Sequence, residues 1–264
     1  MTSKQFNNER MSALAAAVFA VAACVGLAGT ASASMISATF NPPPTSSSTA
    51  PIDISANATA WAYYGYGATT TGTFSSGNTA NFSQLASTGQ YSPGHSSSSG
   101  SVWLTFPGAT SGPSTEFVYT WGNGSTGNSY AYSLTTTLLA PSETLNLYLL
   151  SFDSASNISA TLSSGNGSYS NNDVVFPPTP GSTGNGTGLG HGYAVLSLAI
   201  SGDSTGDVLT FTDTTNISGV TGVSSPSGNV GIQAADVVVP EPLTLGLFSV
   251  GGLGLLILKR RRMV

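Results

Sequence analysis

The chain has 264 residues, of which only 6% are charged, and a formal net charge of −5; that length suits one large domain or two small ones, and the charge content is about a quarter of the ~25% usual in soluble domains. Its six cations all lie near the ends (Lys4, Arg10, Lys259, Arg260, Arg261 and Arg262), while ten of the eleven acids lie between Met11 and Leu258, so the body has nothing to neutralise a phosphate. That excludes nucleic acid as a partner, and tight binding of nucleotides without a metal, and the lone Cys24 leaves the body without disulfides or thiol chemistry.

Residues 1–33 carry the three parts of an export signal. Lys4 and Arg10 give a positive start, residues 11–27 an apolar run, and Ala31-Ser32-Ala33 places small residues at the −3 and −1 positions. Signal peptidase is therefore expected to cut between Ala33 and Ser34. Val21-Ala22-Ala23-Cys24 loosely imitates a lipoprotein signal, but the apolar run continues past Cys24 and a better site follows. Residues 34–51 read as a lead-in rich in Pro, Ser and Thr, ending in the spacer NPPPTSSSTAP.

The body, 52–239, is rich in Ser, Thr, Gly and Asn, a bias that often accompanies disorder. Its apolar residues are nevertheless clustered and alternate. Strands are expected at SVWLTF (101–106), TEFVYTW (115–121), SYAYSLTTTLL (129–139) and ETLNLYLLSF (143–152). Four more are expected at NISATL (157–162), GYAVLSLAI (192–200), DVLTFT (207–212) and NVGIQAADVVV (229–239). All are short, rich in β-branched and aromatic residues, and bounded by turn formers. No helical periodicity with caps occurs outside the two terminal apolar runs. The reading is an all-β fold, a β-sandwich of jelly-roll-like type, with a Greek-key sandwich of immunoglobulin type as the nearest alternative. SPGHSSSSGS (92–101) and FPPTPGSTGNGTGLGHG (176–192) are expected as long loops and as places for a binding surface.

Within this body the catalytic signals are sparse. His95 and His191 lie in Gly- and Ser-rich stretches without a G-x-S-x-G elbow. Asp203, Asp207 and Asp213 could supply oxygen ligands to calcium but lack the loop spacing of a calcium motif. Glu116 and Glu143 are the only glutamates of the body before the tail, with no arginine or lysine beside them to hold a substrate. No enzyme activity and no cofactor are expected. Seven N-x-S/T sequons, beginning at Asn57, Asn81, Asn123, Asn157, Asn166, Asn185 and Asn216, leave glycosylation open. The aromatic group WAYYGYG carries more interest. Trp61, Tyr63 and Tyr64 are candidates for stacking on sugar rings, because so many adjacent aromatics cannot all point inward from a strand with one solvated face.

The tail, 240–264, begins with Pro240-Glu241-Pro242, continues through sixteen uncharged residues (243–258) and ends in Lys259, Arg260, Arg261 and Arg262. As a helix the uncharged run would extend roughly 24 Å, short of the ~30 Å hydrocarbon core, so flanking groups would snorkel or the bilayer thin. The cations behind it belong in the cytoplasm by the positive-inside rule, which agrees with the orientation of the N-terminal signal. Prolines on either side of Glu241 hold that carboxylate in an extended stretch at the outer boundary. The three parts, in this order and spacing, resemble the PEP-CTERM sorting signal of exopolysaccharide-producing Gram-negative bacteria. The resemblance covers about 25 residues and implies recognition by an exosortase, which would remove the tail and pass the body on. The expected protein is an exported, non-enzymatic component of the cell surface or of a biofilm matrix of exopolysaccharide, reached through an inner-membrane-anchored precursor and transient membrane association. The alternative is a carbohydrate-binding module for an extracellular polysaccharide; a secreted hydrolase is less favoured.

Overall fold

Fourteen strands appear in the computed structural model, which describes residues 35–42, 44–47, 49–64, 82–83, 85–87, 90–95, 102–106, 116–121, 130–152, 154–165, 167–177, 191–201, 205–216 and 228–240. They are β1 (Met35–Asn41), β2 (Ile52–Asp53), β3 (Ala60–Tyr63), β4 (Ala86–Ser87), β5 (Gln90–His95), β6 (Leu104–Thr105) and β7 (Glu116–Trp121), then β8 (Ala131–Thr137), β9 (Ser142–Phe152), β10 (Ala155–Leu162), β11 (Ser168–Val174), β12 (His191–Ser201), β13 (Val208–Asn216) and β14 (Asn229–Val238). All eight expected strands are present. The signal residues Ala31, Ala33 and Ser34 and the tail from Glu241 onward lie outside the described residues. Among the described residues no helix is long and apolar enough to cross a membrane.

Two antiparallel sheets face each other as a β-sandwich. One has seven strands in the order β1-β12-β9-β14-β7-β5, with β3 also paired to β14. The other has five, in the order β11-β10-β13-β8-β4. From β7 onward the chain changes sheet at every connection except the β10–β11 hairpin. Strict alternation builds the inner faces. β13 buries Leu209, Phe211, Asp213 and Thr215, and β8 buries Tyr132, Leu134 and Thr136. Opposite them stand Leu145, Leu147 and Leu149 of β9, Leu196 and Leu198 of β12, and Val230, Ile232, Ala235 and Val237 of β14.

A third, smaller layer covers part of the seven-stranded sheet's outer face. β2 and β6 form a two-stranded parallel pair. Ile52, Ile54, Val102, Leu104 and Phe106 of this layer pack on Trp61, Tyr63, Tyr148, Leu150, Tyr193 and Ala234. Burial on both faces explains why ETLNLYLLSF loses its alternation after Leu147: Tyr148, Leu149, Leu150 and Ser151 are all buried.

A bulge in β14 holds the layer on. The register with β9 shifts between Ile232 and Ala234, which leaves Gln233 as the extra residue. Its side chain is fully buried and acts as a surrogate strand for Val102. Nε2 donates to the Val102 carbonyl at 2.7 Å, and Oε1 accepts from the Val102 amide at 3.4 Å and from the Tyr193 hydroxyl at 3.0 Å. The Gln233 carbonyl accepts from the Tyr64 amide at 2.8 Å. Beside the bulge, Gly231 lies so close to β7 that a Cβ would stand 2.8 Å from the Val118 carbonyl oxygen.

Several stretches differ from expectation. Met35–Asn41, within the expected lead-in, is the edge strand of the large sheet and turns Ile36, Ala38 and Phe40 toward the core. Residues 92–95, expected as loop, belong to β5 and pair with β7. β11 (SYSNNDV) carries almost no apolar residue and forms the polar edge of the small sheet, bulged at Asp173, whose φ is 59°.

Candidate functional site

Four adjacent strands of the large sheet carry a polar row on the outer face, beside the covering layer. Asn41 Nδ2 donates to Ser197 Oγ at 3.1 Å, Ser197 Oγ donates to Asn146 Oδ1 at 2.7 Å, and Asn146 Nδ2 donates to Asp236 Oδ1 at 2.8 Å. The Tyr148 hydroxyl donates to the same carboxylate. The row follows from register: Ser197 pairs with Asn146 and Asn146 with Asp236. Neighbouring strands lie ~4.8 Å apart, so the row spans roughly 14 Å across β1, β12, β9 and β14.

At its Asp236 end the row opens into a cleft of about 260 Å³ beneath the turn that follows β2. Asp53 and Asn57 supply polar groups from the turn, Asn146 and Asp236 from the sheet, and Ile52, Ile54, Ala58, Tyr148 and Val238 apolar surface. Asp53 sits in a local turn in which its Oδ1 accepts from the Ser55 amide at 2.9 Å and from Ser55 Oγ at 2.6 Å. Burial pushes the Asp236 carboxyl up to about 6, against the pull of its bonds from Asn146 and Tyr148. Burial and the neighbouring carboxylate together raise the Tyr148 phenol, which stays a donor. The cleft thus offers acceptors, amides and an apolar wall, and no cation.

The expected stacking residues lie elsewhere. Trp61, Tyr63 and Tyr64 are 8%, 4% and 0% exposed. Trp61 and Tyr63 pack on Phe106, with ring centroids 5.1 and 4.7 Å apart, and Tyr64 joins the core on the other side of the sheet. An exposed aromatic face requires a strand with one solvated side, and the β2–β6 layer removes that side. None of the three presents a ring face to a ligand in this arrangement. Trp61 is, however, the cross-strand neighbour of Asp236, so the expected group abuts the cleft without lining it.

No family model matches the chain, and no curated protein matches it. Among solved structures, TmCBM61 in complex with β-1,4-galactotriose superposes with a TM-score of 0.35 at 14% identity, over 61% of this chain and 92% of that one. The enzymatically active domain of bacteriophage CBA120 tailspike protein 4 gives 0.33 at 11% identity, over 62% of this chain and 20% of that one. At these values neither assigns a function to this chain.

Three further described acids sit in or beside the strands. Glu143 is buried at the start of β9, where its Oε2 accepts from the Leu139 and Ala140 amides at 2.7 and 3.2 Å and ties down the turn after β8. Burial raises its carboxyl and those two bonds oppose the rise. Asp207, at the foot of β13, accepts from Ser163 Oγ at 2.8 Å. Asp213 lies six residues further along the same strand, roughly 20 Å away at ~3.3 Å per residue, and is buried between the sheets. Asp207 and Asp213 are therefore too far apart to share an ion, and Asp203 lies outside the described residues, as do the side chains of His95, Glu116 and His191. No group of three or more metal-ligating residues occurs among the described residues.

Gln233, Asn146 and Asp236 were not singled out from the sequence. A signal for the bulge does exist, because apolar positions in NVGIQAADVVV are even at Val230 and Ile232 and odd at Ala235 and Val237. The cleft has no such signal, since its walls come from residues more than 180 positions apart.

Proposed function

We propose that the protein is an exported, non-enzymatic component of the cell surface or exopolysaccharide matrix, delivered through Pro240-Glu241-Pro242 and the tail behind it by an exosortase-type enzyme. The sandwich is its working body, wound in jelly-roll-like fashion. One geometric observation carries the reading. Met35 is level with Ser201 and Ser142, and Val238 is level with Thr144, so both ends of the body leave from the same end of the large sheet. They are three strands apart, roughly 14 Å, and Pro240 is already exposed. This arrangement suits a precursor held in one membrane by both an N-terminal signal and a C-terminal helix; exits at opposite ends would call for linker around the whole body. The non-enzymatic part rests on the use of Glu143 and Asp213 as buried, hydrogen-bonded groups beyond reach of a substrate.

The intact mass of the protein recovered from cell surface and medium tests delivery. A species running from Ser34 to about Pro242 supports both processing steps, and additional mass would size attached glycan. Retention of residues 243–264 in the mature protein would replace the matrix reading with a permanently tethered one. Turnover of any glycoside or ester substrate by the purified protein would overturn the non-enzymatic part.

A further inference from the structure

We infer that the cleft between the turn after β2 and the outer face of β9 and β14 is a binding site for an uncharged polysaccharide, with Asp53, Asn57, Asn146 and Asp236 as its polar contacts. The inference goes beyond the delivery reading and does not depend on the tail.

The chemistry of the lining selects the ligand class. A carboxylate accepts at about four lone-pair sites. Asp236 has two donors, Asn146 and Tyr148, and Asp53 has two, both from Ser55. Acceptor capacity remains on each for the hydroxyl groups of a ligand. The two asparagines add groups that donate and accept, which suits neighbouring hydroxyls whose own roles alternate. Ile52, Ala58 and Val238 give apolar surface for the C–H face of a sugar ring.

Charge narrows the class further. A phosphorylated, sulfated or uronic polymer would meet two carboxylates and no cation, in a body that carries no lysine or arginine. Like-charge juxtaposition in a site disfavours such partners. Asn57 and Asn146 beside the two acids suit a ligand whose polar groups are hydroxyls, and a neutral polysaccharide is the polymer that supplies them without that repulsion.

Shape argues for a polymer over a single sugar. Ser197 and Asn41 continue the polar row out of the cleft across β12 and β1, so a chain lying across the strands meets a polar group at each ~4.8 Å step. The site is also preorganised. Asn146 is fixed from both sides by Ser197 and Asp236, and Asp236 by Asn146 and Tyr148, which lowers the ordering cost of binding.

The test is native affinity electrophoresis of the full chain in non-ionic detergent, through gels containing hydroxyethylcellulose, galactomannan, β-1,3-glucan, galactan or dextran, with alginate as the anionic comparison. At least one neutral polymer is expected to retard the protein, and alginate not to. Asn57→Ala, in an exposed turn, and Asn146→Ala should each weaken that retardation tenfold or more. Asn171→Ala on β11, in the opposite sheet, should leave it unchanged. Unfolding curves of the Asn57→Ala protein separate a lost contact from a lost fold. No retardation by any neutral polymer, equal retardation of both cleft variants, or binding of alginate as strong as that of the neutral polymers would each overturn the assignment. None of these results bears on the mass of the processed protein, so the delivery reading stands or falls separately.

Discussion

Asp213 should make this fold weaken as pH rises. Its carboxyl is fully buried on the inner face of β13, level with Tyr132 and Ile158. Burial pushes it from 3.8 up to about 8, against the pull of the nearby Ser156 hydroxyl, the Tyr132 hydroxyl and the Thr214 amide. Tyr132 uses the same hydroxyl to reach the Gly231 carbonyl of the opposite sheet at 3.2 Å, so the acid belongs to the seam between the layers. An acid raised on folding keeps a proton that the unfolded chain has already released. Stability from this group is therefore complete below about pH 4 and is lost as pH climbs through about 8. At about 1.4 kcal/mol per pH unit the displacement is worth roughly 6 kcal/mol as a ceiling. Asp236, raised to about 6, adds roughly 3 kcal/mol in the same direction, lost by about pH 6. Domain stability is typically ~5–15 kcal/mol in total, so the effect is large. Urea unfolding followed by tryptophan fluorescence from pH 4 to 9 measures it. The midpoint of the wild type should fall steadily up to about pH 8. Asp213→Asn, which cannot ionise, should flatten most of that slope and exceed the wild type at pH 9. A wild-type midpoint that holds level or rises between pH 5 and 9 would show that Asp213 is ionised in the folded state and refute the reasoning.

Two further predictions concern β14. Gln233→Ala removes the bonds that hold Val102 and Tyr193 and leaves both backbone groups of Val102 without their partner; the expected cost is about 2–4 kcal/mol, and hydrogen exchange at the Val102 amide should accelerate before exchange in the β9–β12 ladder does. Gly231→Ala drives a methyl group to within 2.8 Å of the Val118 carbonyl and should cost about 1–3 kcal/mol, seen as a lower urea midpoint with an unchanged slope.

Sequence reading located strands whose alternation survives one-sided burial, such as β8 and β13, and also longer apolar runs buried on both faces, such as β9 and β14. β11 was invisible because SYSNNDV has no apolar face to read; it pairs by backbone bonds at an edge that water still reaches. β1 does alternate Ile36, Ala38 and Phe40, but the prolines that follow drew the whole stretch into a spacer. WAYYGYG misled for a different reason. Period-two reasoning assigns one face to core and one to water, and the β2–β6 layer abolishes the wet face. The polar row was hidden because Asn41, Asn146, Ser197 and Asp236 come from four strands and meet only through register. Nothing local distinguishes them from the other Asn, Ser and Asp residues of so polar a chain.

The position of β14 also decides how the molecule responds to being pulled. It lies inside the sheet, laddered to β9 along one edge and to β3 and β7 along the other. Tension on the chain beyond Val238 runs along the strand axis, so both ladders are sheared together, with their bonds sharing the load. Among the described residues β1 has a ladder on one edge only, and a sideways pull on it would break bonds one after another, as a zipper opens. The two ends leave the body side by side but are mechanically unlike. A tether at the C-terminal end grips the fold by a strand laddered on both edges, while the strand at the N-terminal end is held along one.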